Sequence, residues 1–483
     1  MTSNRPSTRL IGSPSCPSPA TRLLNSRQRF GLIVLALLVM VGLVIRPRMT
    51  VIGLIAVSIV VYGALLVFKA WLVQTAWLQA RRNGDSALVE IGAPVADGDL
   101  PPYTVLVPLF REGSVVAPLV THLSRLDYPA HKLEVLLLCE GDDDETLGAV
   151  RRLDLPFNFR VVVCPPGVPR TKPRACNFGL AQARGRYVVI FDAEDRPELD
   201  QLRKAADAFA RVDETTVCLQ ARLDYHNHDY NWLTRFFTLE YNFWFDLLLP
   251  ALVRRDLPIP LGGTSNHFRT RTLRELGGWD PYNVTEDADL GLRLYAAGYR
   301  TEMIDSRTQE EACARVRPWV RQRTRWLKGY VQTWAVAART NDVWKRGGVK
   351  GGLAMHLLIG GTPIVNAINP VFWAANIYYA VTRDDRMLAL FPRPLLYAAV
   401  FVFLTGNFLF VYTNFLGLVH RERWHLLTAV LMTPFYWLLM SVAAVRAAGQ
   451  LVTSLHVWEK TPHGLTGAAT DPVLAVRGVR QVA

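Results

Sequence analysis

The chain has 483 residues, more than one ordinary domain needs, and a formal net charge of +13. Half of its residues are hydrophobic and its mean hydropathy is +0.14, which is unusual for a soluble protein. The six cysteines (Cys16, Cys139, Cys164, Cys176, Cys218, Cys313) form no close pair with metal-ligand spacing. They read as structural fillers that a cytosolic domain keeps reduced.

The chain opens on a basic tail, residues 1–28, holding Arg5, Arg9, Arg22 and Arg27. Two uncharged runs follow, Phe30 to Ile45 and Met49 to Phe68, with only Arg46-Pro47-Arg48 between them. A bilayer core takes roughly 20 apolar residues as a helix, and Arg29 and Arg46 can snorkel to lengthen the first run. Residues 29–79 are therefore expected to form a membrane hairpin. A cleaved signal peptide is not expected, because a second apolar run follows at once and no small-residue cleavage site precedes a secreted domain. Basic residues favour the cytoplasmic side. With the basic tail before the hairpin and Lys69, Arg81 and Arg82 after it, the tail and the central region are expected in the cytosol of a cell membrane protein. The positive charge fits this bias and attraction to anionic lipid. No basic helix carries a groove-reading pattern, so no nucleic-acid partner is expected.

From 100 to 345 the pattern changes to short apolar runs alternating with amphipathic stretches. Thr104 to Phe110, Leu133 to Cys139, Phe159 to Cys164 and Tyr187 to Phe191 predict buried strands; Val115 to Leu126 and Arg174 to Ala183 predict helices. This alternation defines an α/β domain with a mostly parallel sheet, whose ligands bind beyond the carboxyl ends of its strands. No Gly-x-Gly-x-x-Gly follows the first strand and no Walker lysine is present, so a dinucleotide oxidoreductase and a P-loop ATPase lose ground. Residues 346–451 hold three further apolar stretches, Leu353 to Val381, Pro394 to Val419 and His425 to Val445. The last contains Pro434 and continues helically through Arg446, so it is expected to lie in the interface, leaving four full spans and a cytosolic C-terminus.

Several motifs fall on strand ends and helix starts. Glu140 follows the second strand, where an acid can accept from a base or ribose; alone, the segment reads better as a solvated acidic turn. Asp192-Ala193-Glu194-Asp195 ends the fourth strand. It is either an N-cap box or two carboxylates aimed at a hard divalent cation, Mg2+ or Mn2+, that bridges phosphates. Its position at a strand end favours the metal. Thr285-Glu286-Asp287 opens a helical stretch, so these acids either complement a helix dipole or place Asp287 in the cleft as a general base. Arg317 to Tyr330 is dense in cations and aromatics. It reads as a surface helix at the membrane or as Arg325 for phosphate and Trp326 for stacking, and both can hold at once.

In this order the motifs resemble the membrane-embedded, processive family-two glycosyltransferases of the cellulose synthase-like group. Asp192-Ala193-Glu194 is similar to that family's metal motif, Asp287 to its T-E-D base, and Gln322, Arg325 and Trp326 to its Q-x-x-R-W signature. Lys172, Ala175 and Asn177 are similar to its K-x-x-A-x-N segment, and Leu261-Gly262-Gly263-Thr264 to the turn lining the acceptor site. Val457 to Gly464 resembles the gating loop, with His463 where lysine is more usual. Glu194 departs from the usual aspartate, with Asp195 as a substitute, and Cys139 stands where an aspartate is frequent. The resemblance covers residues 101–464. No regulatory nucleotide-binding domain is expected after the gating segment, residues 452–483 reading as that segment and a tail.

The resemblance implies a GT-A fold and an inverting, metal-dependent hexosyltransferase. Asp192 and Glu194 would hold the cation, Asp287 would take the acceptor proton, and Glu112, Glu140, Lys172, Asn177, Gly263, Thr264, Glu286, Gln322, Arg325 and Trp326 would bind substrate. Trp326 would stack on an acceptor sugar. The donor would be a UDP- or GDP-linked sugar and the product a growing β-linked polysaccharide, with export or assembly subunits as further partners. Two alternatives remain: transfer of one sugar to a membrane lipid, and an inactive membrane receptor or scaffold. The last is disfavoured because every catalytic role has a candidate.

Overall fold

The computed structural model describes residues 19–83, 88, 89, 92 and 95–460. Cys16, most of the basic tail, and the part of the gating segment from 461 to 464, His463 included, lie outside the described residues. Two long helices come first, α1 (Ser26–Ile45) and α2 (Pro47–Asn83). The central domain runs β1 (Tyr103–Leu109), α3 (Val116–Leu123), β2 (Leu133–Glu140), α4 (Asp144–Arg151), β3 (Phe159–Cys164), α5 (Lys172–Gln182), β4 (Tyr187–Ile190), β5 (Arg196–Pro197) and α6 (Gln201–Arg211). It continues with β6 (Thr216–Tyr225), α7 (Trp232–Phe243), a π-helical turn at Trp244–Leu248, α8 (Leu249–Arg254), β7 (Asn266–Arg269), α9 (Thr270–Glu275), α10 (Glu286–Ala296), β8 (Arg300–Glu310) and α11 (Val316–Ala337). Last come α12 (Asp342–Ala354), α13 (Gly361–Thr382), α14 (Asp385–Leu388), α15 (Arg393–His420) and α16 (Leu427–Thr453).

One eight-stranded sheet carries the domain, in the order β3-β2-β1-β4-β7-β6-β8-β5. Strands β3, β2, β1 and β4 pair parallel in the expected positions. The sheet is nevertheless mixed. β7 runs antiparallel to both β4 and β6, and β5 antiparallel to β8, while β6 and β8 pair parallel. β1 and β2 read as continuous apolar runs because both faces are covered. Leu106, Leu136, Leu138, Val188 and Ile190 face one core with α5 and α10, while Val105, Val107, Val135, Leu137 and Val189 face the other with α3 and α6. This is the period-two alternation of a strand.

Among the described residues five helical segments are long and apolar enough to cross a membrane: Ser26–Ile45, Pro47–Leu78, Asp342–Thr382, Arg393–His420 and Phe435–Thr453. Their contacts divide them. The α1–α2 turn meets the segment after α14, where Arg48 donates to the Ala389 carbonyl at 2.9 Å. The start of α1 meets the end of α11, where Gln28 Nε2 donates to the Ala335 carbonyl at 2.8 Å. Thus α1, α2, α13 and α15 form a bundle with both turns at the end remote from the sheet. The lower end of α15 is locked to the domain by ions. Arg421 pairs with Asp224 at 2.7 Å and Asp246 at 2.5 Å, and Arg423 pairs with Asp224 at 2.6 Å.

Helix α16 behaves differently. It starts just after that lock and ends where Lys328 on α11 donates to the Ser454 carbonyl at 3.0 Å. Along the way Tyr436 meets Trp319 and Arg323, and the Ala443 carbonyl accepts from Thr324. Both ends of this 27-residue helix approach the domain, and it packs along α11 as well as against α13 and α15.

Candidate active site

The carboxyl ends of β1, β2 and β4 and the start of α10 open on one cavity of about 220 Å3. Its wall includes Glu112, Glu140, Lys172, Asp192, Glu194, Gly263, Thr264, Glu286, Asp287, Gln322, Arg325 and Trp326. Twelve of the thirteen residues singled out from the sequence thus converge on one space. Asn177 does not. Its side chain bonds both backbone groups of Trp279, donating at 2.8 Å and accepting at 3.0 Å, so it holds the loop before α10 and does not line the cavity. Asp195 is also corrected. It turns inward, accepting from the Asp192 N–H at 2.6 Å and from the Thr264 hydroxyl, and it closes the turn that presents Asp192 and Glu194.

The loop before α10 is gripped by α11. The Val284 N–H donates to Gln332 Oε1 at 3.1 Å, and Asn283 donates to the Thr333 hydroxyl at 2.9 Å. Gly329 lets the helices approach, since a Cβ there would lie 2.4 Å from Thr285 Cγ2. Asp287 accepts from the Ala288 N–H at 2.7 Å. A Cβ at Gly263 would sit 3.3 Å from Asp287 Oδ2, so glycine keeps the carboxylate's approach open. Lys172 ties the halves together, pairing with Asp192 and donating to the Gly263 carbonyl at 2.6 Å. Asp289, the third acid of α10's first turn, is spent on Arg293 at 2.7 Å.

The cavity is strongly acidic, with eight carboxylates against the four cations Arg170, Lys172, Arg325 and Lys460. Burial pushes Glu286 up to about 8, with Asp287 beside it adding to the rise. Burial likewise raises Asp287 above the ordinary carboxylate range. Glu194 is pushed up to about 8 by burial and by the neighbouring Asp192 charge. A diphosphate entering such a space meets repulsion that a cation would offset. Among the described residues no group of three His, Cys, Asp or Glu side chains is arranged as a full metal cage. Two hard carboxylates at one strand end still fit Mg2+ or Mn2+, which keep waters and substrate phosphates as their other ligands. Gln322 Oε1 and Arg325 Nε are buried here with no protein partner among the described residues, as expected of a wall that meets a polar ligand.

Several wall residues escaped the sequence reading: Phe110, Arg170, Tyr225, Tyr241, Glu310 and Glu311. Glu310 ends β8, a strand with no clean alternation, and Tyr241 is hidden in the apolar run of α7. Trp458 and Lys460 come from the segment after α16. The Arg325 guanidinium lies 4.3 Å from the Trp458 ring, and Lys460 pairs with Glu112 at 2.8 Å. The described part of the gating-like segment therefore reaches the cavity.

A family model described as glycosyl transferase family group 2 matches residues 187–453, more than half of the chain, and the chain belongs to that family. It is a glycosyltransferase with a GT-A fold carried beside apolar helices. The chain is 25% identical over 423 residues to a beta-monoglucosyldiacylglycerol synthase of Synechocystis, covering 81% of each. It is 27% identical to the probable glycosyltransferase YdaM of Bacillus subtilis over 48% of this chain and 56% of that one, so it spans little more than half of that relative. In structure it is similar to a mannosyltransferase of Pyrobaculum calidifontis solved with GDP-Man and Mn2+, with TM-score 0.50, 20% identity, and coverage of 82% of this chain and 99% of the other. These relatives do not favour the cellulose synthase-like, processive group over single-sugar enzymes.

Proposed function

We propose that this protein moves one sugar from a nucleoside diphosphate sugar to the hydroxyl of a membrane lipid of the diacylglycerol class, with inversion at the anomeric carbon. The observation that carries the reading is the match along most of both chains to a beta-monoglucosyldiacylglycerol synthase. Extension of a β-linked polysaccharide, the first expectation, gives way to the alternative set beside it. A cavity walled by α7 and α11, next to the helices α15 and α16, suits an acceptor held in the bilayer.

The acceptor oxygen attacks the anomeric carbon, its proton passes to Asp287, and the bond from that carbon to the diphosphate oxygen breaks. Asp287 suits the base because burial raises its basicity. Glu286, held near 8, stays largely protonated at neutral pH and leaves the task to its neighbour. Lys172 orients Asp192 and the Gly263 turn. Arg325 carries positive charge to the leaving diphosphate. Asp192 and Glu194 would hold Mg2+ or Mn2+, which when bound supplies Lewis-acid neutralisation of the diphosphate.

The test uses purified full-length protein in detergent with diacylglycerol and radiolabelled UDP-glucose, UDP-galactose or GDP-mannose. One labelled lipid running as a monoglycosyl product is expected with one donor. Labelled polymer from the wild type, or no lipid product with any donor, overturns the reading.

A further inference from the structure

We infer that Tyr241 limits the product to one sugar by closing the face of Trp326 on which an acceptor sugar would rest. The inference rests on the single-sugar reading above and supplies its cause.

Trp326 was expected to offer a stacking plate. The structure places Tyr241 of α7 against it, with the rings 25° from parallel and their centroids 6.4 Å apart. For rings so nearly parallel, the gap between planes is no larger than the centroid distance. A pyranose between two plates needs carbon contacts of about 3.5–4 Å on each side, or roughly 7 Å in all. A sugar ring therefore does not fit between Tyr241 and Trp326. The hydroxyl of a glycerol needs no plate and is not excluded.

Neither ring is free to swing aside. Tyr241 lies 4.3 Å from the Tyr225 ring and 5.2 Å from Phe245, with Phe237 edge-on at 5.4 Å. Its chain neighbour Glu240 forms a two-pronged pair with Arg323, at 2.8 and 2.5 Å, and Tyr436 donates to the same carboxylate at 3.0 Å. The Arg323 guanidinium in turn lies 4.4 Å from the Trp326 ring and 4.2 Å from Phe237. One ion pair, buried on its Arg323 side, thus sets the spacing of both plates. Such two-pronged pairs fix geometry as well as contributing energy.

A second transfer would use a hydroxyl of the first sugar. Its oxygen would bond to the anomeric carbon of a second donor, its proton would pass to Asp287, and a second nucleoside diphosphate would leave. The first sugar's ring would then have to rest on Trp326 beside Tyr241, and the gap between those two rings does not admit it.

The experiment supplies excess donor and diacylglycerol to full-length protein and weighs the products by mass spectrometry. Wild type and Tyr241→Phe are expected to make one-sugar lipid. Tyr241→Ala and Tyr241→Leu are expected to raise two-sugar lipid by roughly tenfold or more, the usual reach of a steric gate. Folding of each variant is checked by its melting midpoint and nucleotide binding. Folded Ala and Leu variants that stop at one sugar overturn the inference while leaving the lipid reading intact. Polymer from the wild type overturns both. Should neither variant fold, purified one-sugar lipid offered to the wild type decides. No transfer to it and no competition with diacylglycerol is expected, and use of it as an acceptor overturns the gate.

Discussion

Asp287→Asn separates chemistry from binding. Asparagine has the same shape and keeps the 2.7 Å bond from the Ala288 N–H, so the loop should not move. What disappears is the proton acceptor. A positioned base contributes roughly 10²- to 10⁴-fold, or about 3–5 kcal/mol of barrier. The loss should fall at the upper end, because the nearest substitute, Glu286, is held near 8 and is mostly protonated at neutral pH. Donor binding should hold or tighten, since one negative charge leaves an acidic cavity. Stability should hold or rise. A buried carboxyl whose folded pKa lies above its unfolded value costs stability as pH climbs through that window, and asparagine removes the cost. The same raised pKa places the acid limb of the wild-type kcat/KM profile above the ordinary aspartate value of about 4. The assays are turnover of labelled donor, calorimetric titration with nucleoside diphosphate, and thermal unfolding. Turnover within a few-fold of wild type would refute the base. Loss of nucleotide binding would place Asp287 with the cation instead.

Three further outcomes are expected. Asp192→Ala and Glu194→Ala should each weaken donor binding by roughly tenfold or more, the scale of a lost cation contact, and chelator should abolish activity that Mg2+ or Mn2+ restores; full activity in chelator sinks the bridging cation. Arg421→Met leaves Asp224 and Asp246 short of a buried partner and should cost about 3–5 kcal/mol, read as a lower melting midpoint in detergent; an unchanged midpoint would mean that the lock between α15 and the domain contributes nothing. In a Cys16→Ser background, a cysteine at Asp385 should react with a membrane-impermeant thiol reagent in intact cells, and one at Arg271 only after lysis; the reverse pattern overturns the cytosolic placement and the four-span topology.

Much of the site was legible because its residues stand at strand ends that the sequence itself marks. Mostly apolar runs of buried residues locate β1, β2 and β4, and the acids near the end of each run, Glu112, Glu140, Asp192 and Glu194, arrive together as the parallel pairing requires. The second half of the sheet was not legible. β7 has only four residues, all buried, and pairs antiparallel to strands far away in sequence, so no local period announces it. Asn177 and Asp195 show the opposite failure. Each sits in a motif at the right spacing, but spacing does not say which way a side chain turns, and both turn into the protein to brace loops that line the cavity.

The acceptor side was the hardest to read, and the reason is physical. Its character comes from the meeting of α7 and α11, which are joined by Glu240 and Arg323, 83 residues apart in sequence. In the sequence Arg323 is only the unspecified second position of a signature valued for Gln322, Arg325 and Trp326. In the structure it is the residue that holds Trp326 beside Tyr241, with its side chain 3% exposed. A motif can therefore match at every marked position while its unmarked one decides what the marked tryptophan is free to touch. On the inference drawn above, this is how a signature shared with polymer-building enzymes can serve a single transfer.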